Sequence, residues 1–509
     1  MDRSSRYTHL RKDSTAIPTI TSDLSSAAGY TWIGGAYLLA KAAAGPIWTK
    51  SSDIWGRKPA LLLSVIIFAV ASTIAALSTS MRMLIAARAL QGVAAGSLFQ
   101  LVSVTISDLF SVRKRALYFG WMGAMWVVAG AIGPLIGGAL SEKLSWRYCF
   151  WINLPVCGLS FVMLLLLLDV HNPRTGLREG IQAIDWSGTV SMLAVTVLLL
   201  LGLNFGGGVF AWNSAQVICL IAIGTAMIAF FVFTELRLAK YPLMPLDVFR
   251  TASNNATFVV AFGHNMVNIG VEFYLPLFFQ SVKEASPLHS GLLLLPLVIS
   301  AAITDVVSGT LINRTGRYRE LIWTGAVLMT LGCGLFIKFW TDTSLAEIIG
   351  IQLISGIGIA LLFQTPMLAI HSTVRQADVA SATASLGFLN SIATALSVVV
   401  GGVVFQNSMS ARQSTLAATG LESSVLEALA ADKAAANVNI VKTVMDATQH
   451  RAVQDAFAWS VRNIFIMYSC ISGVTMVASI FIKQKQMSTE HSETKTGIAN
   501  LSKREESQT

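Results

Sequence analysis

Two long apolar blocks are joined by the polar stretch Ser52-Asp-Ile-Trp-Gly-Arg-Lys58, and a related stretch, Gly309-Thr-Leu-Ile-Asn-Arg-Thr-Gly-Arg-Tyr-Arg319, stands in the second half of the chain. Three residues of the second stretch lie 260 positions after their counterparts in the first. Asn313 corresponds to Asp53, Gly316 to Gly56 and Arg317 to Arg57. A second pair of segments, Arg88-x-x-x-Gly92 and Gln352-x-x-x-Gly356, repeats at an offset of 264. Two consistent offsets predict a chain built from duplicated halves.

The composition indicates that lipid is the solvent of this chain. Of 509 residues, 54% are hydrophobic and 12% are charged, whereas soluble domains carry roughly 25% charged residues. The apolar residues come in blocks of about 20, the length that a helix needs to cross a bilayer. The net charge of +9 comes largely from short loops, which argues against a nucleic-acid-binding face. We therefore expect an all-α polytopic membrane protein.

Apolar blocks between charges and turn residues predict thirteen spans. They lie at 30–49, 60–79, 82–104, 116–140, 148–168, 186–205, 214–234, 255–280, 291–312, 320–340, 345–368, 382–405 and 463–482. The first 28 residues hold no comparable block and no signal-peptide core.

Lysine and arginine predict the orientation of these spans. One side holds dense groups such as Arg113 to Arg115 and Arg314 to Arg319, whereas loops on the other side hold only a few isolated basic residues. The first side is predicted to be cytoplasmic, together with the tail 483–509, and the long segment 406–462 falls outside or in an organelle lumen. An odd number of spans places the basic N-terminus outside, against this rule, so one helix is expected to be missing before residue 30.

Four groups of residues together resemble the major facilitator superfamily, most closely its fourteen-span drug:proton antiporter branch of fungi. They are the loop 52–58, the segment Arg88-Ala-Leu-Gln91-Gly92, the run Gly130-Ala-Ile-Gly133-Pro134-Leu-Ile-Gly137-Gly138, and Trp146-Arg-Tyr-Cys-Phe-Trp-Ile-Asn-Leu-Pro155. The resemblance covers residues 29 to 482. Thr49 stands where the family usually has a glycine, and Asp13 to Ile20 looks like the two ends of the family's first helix joined without its middle.

The resemblance implies a major facilitator fold of two six-helix halves with two linker helices between them. We expect a tail with a remnant of the first helix at 1–28, an N-terminal bundle at 29–168, linker helices at 169–240, and a C-terminal bundle at 241–482 that includes the non-cytoplasmic loop 406–462. It also implies a conformational latch and an antiporter helix that prevents leakage. The latch residues are Asp53, Gly56, Arg57, Lys58, Asn313, Gly316 and Arg317, and the antiporter residues are Gly130, Gly133, Pro134, Gly137 and Gly138. A solvated loop and a plain packing face are the alternatives for these two groups.

Ionisable residues inside spans are candidates for function, because a charge in the hydrocarbon region is costly. The family assigns Arg88 to proton coupling. His264, Asn268 and Glu272 lie at successive i+4 positions and are predicted to face a central cavity, where His264 or Glu272 could carry a proton; a packing stripe is the alternative. Further candidates are Asp305 for the proton and Lys41 and Gln91 for the cavity wall.

The sequence thus predicts a secondary transporter that exports small organic compounds, such as a drug or fungal toxin, in exchange for protons. The expected partners are the substrate, protons and the bilayer, with no cofactor, metal or nucleic acid, and the expected form is a monomer in the plasma or vacuolar membrane. Uptake or vacuolar transport of an iron chelate or basic amino acid is an alternative, and a degenerate, non-transporting protein is another. An enzyme is not expected, because metal-binding, nucleophile-elbow and phosphate-loop motifs are missing from the sequence.

Overall fold

The fold was taken from a computed structural model that describes residues 20, 24, 29–171, 173, 175–207, 210–239, 243–244, 246–430, 433–490 and 496–497. The expected remnant of a first helix falls almost entirely outside these residues. Within them, each of the thirteen predicted spans coincides with a long helix or with a short helix continued by a long one.

The N-terminal helices are α1 (Gly29–Trp55), α2 (Arg57–Ala76), α3 (Met81–Leu109), α4 (Val112–Lys143), α5 (Tyr148–Trp151) and α6 (Asn153–Leu167). The short α7 (Leu177–Ala183) precedes α8 (Trp186–Phe205) and α9 (Ala215–Arg237). The remaining helices are α10 (Ala252–Ser281), α11 (Pro287–Leu293), α12 (Leu295–Thr315), α13 (Arg319–Phe336), α14 (Leu345–Phe363), α15 (Thr365–Thr373), α16 (Val379–Ala418), α17 (Ser423–Ala428) and α18 (Ala447–Ser479).

Local sequence signals set the ends of several helices. The hydroxyl of Ser80 accepts from the backbone N–H of Met83 and caps α3. Ser344 and Glu347 form a reciprocal capping box at the start of α14. Gly316 ends α12 with a φ of 72°, in the left-handed region that glycine adopts without strain.

Nine helical segments within the described residues are long and apolar enough to cross a bilayer. Their outward faces carry large apolar side chains, among them Leu159, Leu166 and Phe233, which are 65%, 73% and 52% exposed. A water-soluble protein would not present so much contiguous apolar surface. These exposed faces therefore fit contact with lipid.

Glycines hold α1 and α3 together in the N-terminal bundle. A Cβ atom at Gly92 would overlap the carbonyl oxygen of Tyr37, and one at Gly96 would overlap the carbonyl oxygen of Lys41. Lipid provides no hydrophobic drive between helices, so close backbone packing is a main source of their association.

The C-terminal bundle repeats this contact between α12 and α14. A Cβ atom at Gly356 would lie 2.6 Å from the carbonyl oxygen of Leu297, and Leu297 stands 260 residues after Tyr37. The amide of Gln352, one turn earlier, donates to the carbonyl of Leu293 at 2.9 Å, just as Arg88 donates to the carbonyl of Ile33 at 3.1 Å. The two offsets in the sequence thus correspond to one duplicated helix pair.

The two bundles meet where α4 crosses α12 and where α1 and α3 approach α16. At the first crossing, a Cβ atom at Gly120 would lie 2.5 Å from the carbonyl oxygen of Asp305, and one at Gly309 would overlap the carbonyl oxygen of Ala116. At the second, the side chain of Gln100 on α3 lies against both Gly45 and Gly387. Small residues therefore line both contacts between the halves.

The linker helices α8 and α9 form a hairpin that packs beside α1 and α16. Its apolar contacts include Met192, Val195 and Phe231, with Phe388 of α16 against them. The carboxylate of Glu235 accepts from the backbone N–H groups of Leu243 and Met244 and ties the hairpin to the following chain. The assignment of these two helices as a linker between the halves stays a prediction.

The segment predicted as a loop over 406–462 is largely helical at both ends. Helix α16 continues to Ala418, and α18 begins at Ala447. The carboxylate of Glu284, after α10, accepts from the amide of Gln454 and contacts the ring of His450, both at 2.7 Å. Helices α16 and α18 thus extend beyond the apolar blocks that were used to predict the spans. The extensions have polar sequences, because their tertiary contacts lie outside the hydrocarbon region.

The packing predicts that Gly309→Ala will prevent α4 and α12 from closing. The added methyl would meet a backbone oxygen, which cannot move without separating the helices. We expect transport by the variant to fall at least tenfold at equal abundance in the membrane. Gly334→Ala on α13 is the matched control, because a Cβ there has no atom within 4 Å. Equal transport by the two variants would contradict this account of the crossing.

Candidate functional site

One end of the molecule gathers the loops that are rich in lysine and arginine, and we call it the basic face; it includes residues 50–58, 108–115, 313–319 and 375–378. At its centre lies the guanidinium of Arg57, which is 1% exposed. It contacts the carboxylates of Asp53 at 2.6 Å and Asp108 at 2.7 Å. Asp53 and Arg57 thus form an ion pair one helical turn apart, and Asp108, which sequence reasoning missed, completes the cluster around the guanidinium.

The second copy of the motif is held differently. The carboxamide oxygen of Gln484 accepts from the backbone N–H groups of Tyr318 and Arg319, and its amide donates to the carbonyl of Gly316 at 3.1 Å. Arg317 is exposed. Asn313, Gly316 and Arg317 thus form no buried charge cluster like that of the first copy, and their role as a latch stays a prediction.

Two arginines that the sequence analysis used only for topology connect the bundles at the basic face. Arg113 at the start of α4 donates to the carbonyl of Asn313 at 2.7 Å, and also to that of Arg314. Arg115 donates to the side chain of Gln376 at 2.6 Å. The amide of Gln376 in turn donates to the carbonyl of Ser107 at 3.0 Å. The basic face is therefore closed by contacts between the halves.

The glycines near the opposite end of α4 have open space around them. A Cβ atom at Gly130, Gly133 or Gly137 would have no atom within 4 Å among the described residues, and Ile132 and Ile136 are exposed. The surroundings of Pro134 and Gly138 fall outside the described residues. The predicted antiporter run thus lies on the side away from the closed basic face.

Arg88 belongs to a polar chain inside the N-terminal bundle. Its guanidinium donates to Gln91 at 3.0 Å and lies 4.3 Å from the ring centre of Tyr37. Gln91 donates to the hydroxyl of Ser72 at 2.8 Å, and Asn153 reaches the same hydroxyl at 3.4 Å. No carboxylate in the described part of the chain forms an ion pair with Arg88.

The predicted stripe on α10 splits into two environments. His264 is buried, and its ring contacts the carbonyl of Ile359 at 2.9 Å inside the C-terminal bundle. Asn268 donates to the carboxylate of Glu272 at 3.1 Å, and Glu272 is exposed. The i+4 spacing put them on one side of the helix, but neighbouring helices cover only the end that holds His264.

Asp305 lies at the crossing of α4 and α12. It is 2% exposed, and one of its carboxyl oxygens has no hydrogen-bond partner within the described residues. Its carboxyl faces Gly123, where a Cβ atom would lie 2.7 Å from an oxygen. The charged form of such a group loses several kcal/mol of hydration with no partner to offset it.

The Arg57 cluster gives a test of stability. Arg57→Ala would leave two buried carboxylates facing one another, a loss of about 3–5 kcal/mol for a broken buried pair. We expect the purified variant to unfold at a clearly lower temperature, whereas Lys58→Ala, at the neighbouring and less buried position, should match the unsubstituted protein. Thermal unfolding in detergent measures both. Equal midpoints for the two variants would show that the cluster does not hold the basic face together.

Comparison with known proteins agrees with this architecture. The family model described as Major Facilitator Superfamily matches residues 14–398. Among solved structures, the human organic anion transporter MFSD10 (TETRAN) superposes with a TM-score of 0.56 at 14% identity, covering 92% of this chain and 88% of that one. The proton:xylose symporter XylE gives 0.57 at 12% identity, covering 94% and 93%. At these identities the structures show the fold alone.

Sequence relatives are closer. The MFS-type transporter ppz2 of Metarhizium majus is 41% identical over 485 residues, which cover 95% of this chain and 83% of the relative. Efflux pump dotC of Dothistroma septosporum (strain NZE10 / CBS 128990) is 40% identical over 490 residues, covering 96% and 84%. Efflux pump FUS6 of Gibberella fujikuroi is 35% identical over 396 residues, covering 77% and 71%. With its paired helix bundles and these matches, the chain belongs to the Major Facilitator Superfamily and is a multi-pass membrane protein.

Proposed function

We propose that this protein exports small organic compounds across a membrane in exchange for protons. Relatives that cover most of the chain are named as efflux pumps, and one is named as the transporter of an acurin A biosynthesis cluster. Their names favour export of secondary metabolites by this chain too. Export from the cell places it in the plasma membrane, with a single chain enclosing the pathway.

The arrangement of the bundles fits one end state of a rocking cycle. If the basic face is cytoplasmic, as its arginines and lysines predict, the structure is closed towards the cytosol through Arg113 and Arg115. Substrate release to the outside belongs to this state. Binding from the cytosol requires the crossing of α4 and α12 to separate.

The observation that carries the proton-coupling proposal is the buried carboxyl of Asp305 at that crossing, one oxygen of which has no hydrogen-bond partner in the described part of the chain. While the crossing is closed, the neutral form is favoured, because one oxygen of this buried carboxylate has no hydrogen-bond partner within the described residues. When the helices separate, water reaches the group and it can ionise. Protonation of Asp305 thus favours closure towards the cytosol, which links the proton to a change of conformation.

Arg88 and Glu272 have supporting roles in this proposal. Arg88 holds the α1–α3 contact through Ile33 and Tyr37, and its free charge can interact with substrate or with a carboxylate in another state. Glu272 is open to the pathway and is a second proton acceptor. His264 is the weaker candidate, because its ring is enclosed and already contacts a backbone carbonyl.

The test uses the protein in sealed vesicles with an imposed proton gradient. Asp305→Asn keeps the size of the side chain but removes the proton, so we expect dye export that no longer responds to the gradient. Arg88→Ala should lower export more than tenfold, and Glu272→Gln should weaken its pH dependence. Glu427→Gln is the control, because Glu427 is exposed beyond the spans and its ion pair among the described residues is with Lys433 at 2.8 Å.

Membrane abundance is measured beside export for each variant. Normal, gradient-dependent export by Asp305→Asn would remove the proposed proton site. Export by the unsubstituted protein that is equal with and without the gradient would overturn exchange with protons altogether.

A further inference from the structure

Lys41 lies inside the span of α1 with its ammonium between two aromatic rings. Its Nζ atom is 5.4 Å from the ring centre of Phe99 on α3 and 5.0 Å from that of Trp126 on α4. The two rings themselves meet edge to face at 5.6 Å. No hydrogen bond or ion pair of this ammonium is found within the described residues.

The backbone fixes the position of this lysine. The carbonyl of Lys41 is packed against Gly96, so α1 cannot slide along α3 without breaking a close contact. The backbone contact therefore limits where the ammonium of Lys41 can lie, in addition to the conformation of its side chain. Three different helices define the group formed by Lys41, Phe99 and Trp126, which we call the aromatic-lysine site.

The aromatic-lysine site stands next to the closed contacts between the bundles. One turn beyond Lys41 towards the basic face, Gly45 lies against Gln100, which also contacts Gly387 of the C-terminal bundle. On α4, Gly123 lies against the carboxyl of Asp305 three residues before Trp126. Further along α4, a Cβ atom at Gly130, Gly133 or Gly137 would meet no atom within 4 Å among the described residues. The site thus lies between the closed crossing and the glycine run of α4, and Trp126 is 52% exposed.

The chemistry of the site is incomplete without an anion. An ammonium has three N–H donors, and aromatic faces attract its charge without supplying a lone pair. A cation that is partly removed from water needs a counter-charge to recover its lost hydration. A carboxylate supplies both the charge and the acceptors.

We propose that the aromatic-lysine site binds the anionic group of the transported compound, so that the substrate class is organic acids with a planar, conjugated framework. The ammonium of Lys41 pairs with the carboxylate or a similar acidic group, and Trp126 and Phe99 contact the adjacent planar framework. This assignment rests on the proposed function and narrows its substrate. An organic cation is disfavoured at the same place by the charge of Lys41.

The ammonium of Lys41 lies in the first half of the chain, and the carboxyl of Asp305 lies in the second half. Lys41 stands 260 residues before Ala301, and Gly45 stands 260 residues before Asp305. The duplicated helices α1 and α12 therefore carry a cation and a carboxyl at different levels, each without an equivalent in the other half. The cation can bind the substrate while the carboxyl binds the proton.

The experiment measures binding to the purified full-length chain in detergent, with radiolabelled 2-naphthoate and its uncharged amide, 2-naphthamide, as probes. The unsubstituted protein should bind the acid at least tenfold more tightly than the amide. Lys41→Met should weaken binding of the acid at least tenfold and leave the amide within twofold, whereas Lys41→Arg should retain the preference for the acid. Trp126→Leu should weaken both probes.

Lys338→Met is the matched control, because Lys338 is exposed in the turn after α13. The proposal is overturned if the unsubstituted protein does not prefer the acid, or if folded Lys41→Met keeps that preference. An equal loss of acid and amide would make Lys41 a packing residue and would also overturn it.

This binding assay needs no gradient, so it separates the two proposals. Charge-selective binding without gradient-driven export would overturn the exporter and leave the site. Gradient-driven export of a neutral dye, unchanged in Lys41→Met and without selectivity for acids, would overturn the site and leave the exporter.

Discussion

Contact between helix backbones at glycine is the constraint on which both bundles depend. In lipid, neighbouring helices gain little from burying apolar surface, so their association relies on close packing and on a few polar contacts. Gly92 and Gly96 provide this on α3, and Gly356 provides it on α14. The same device, at Gly120 and Gly309, brings the two halves together.

Close helix packing also determines which backbone groups a charged side chain can reach. Because α1 and α3 touch at Gly92, the guanidinium of Arg88 reaches the carbonyl of Ile33, and the neutral Gln352 makes the same bond in the second half. Both side chains thus satisfy a helix carbonyl, and only one of them brings a charge. Arg88 and Gln352 thus share one structural contact, and the charge of Arg88 is specific to the first half.

At the basic face, the same motif serves two mechanical purposes. In the first half, the guanidinium of Arg57 forms ion pairs with both Asp53 and Asp108, and this cluster makes the loop rigid. In the second half, a neutral Gln484 holds the turn through backbone groups, while Arg113 reaches across from α4. Hydrogen bonds to backbone carbonyls can be exchanged for water at lower cost than a buried ion cluster. The contacts that would open in the proposed transport cycle are therefore of the weaker kind.

The sequence by itself determined the helices, their approximate ends and the duplicated plan, because the length of an apolar block and the distribution of lysine and arginine are local properties that a bilayer reads directly. It also placed Asp53 and Arg57 in one polar stretch, four residues apart. Only the tertiary structure decided which polar residues face one another. Asp108 and Gln484 contact partners that are far away in the sequence. His264 and Glu272 lie on one side of a helix but in different environments. The surroundings of Lys41 include Phe99 and Trp126 on two other helices. Helical periodicity gives the direction of a side chain, but its neighbours depend on how the helices cross, and the crossings are set by glycine contacts that no local pattern reveals.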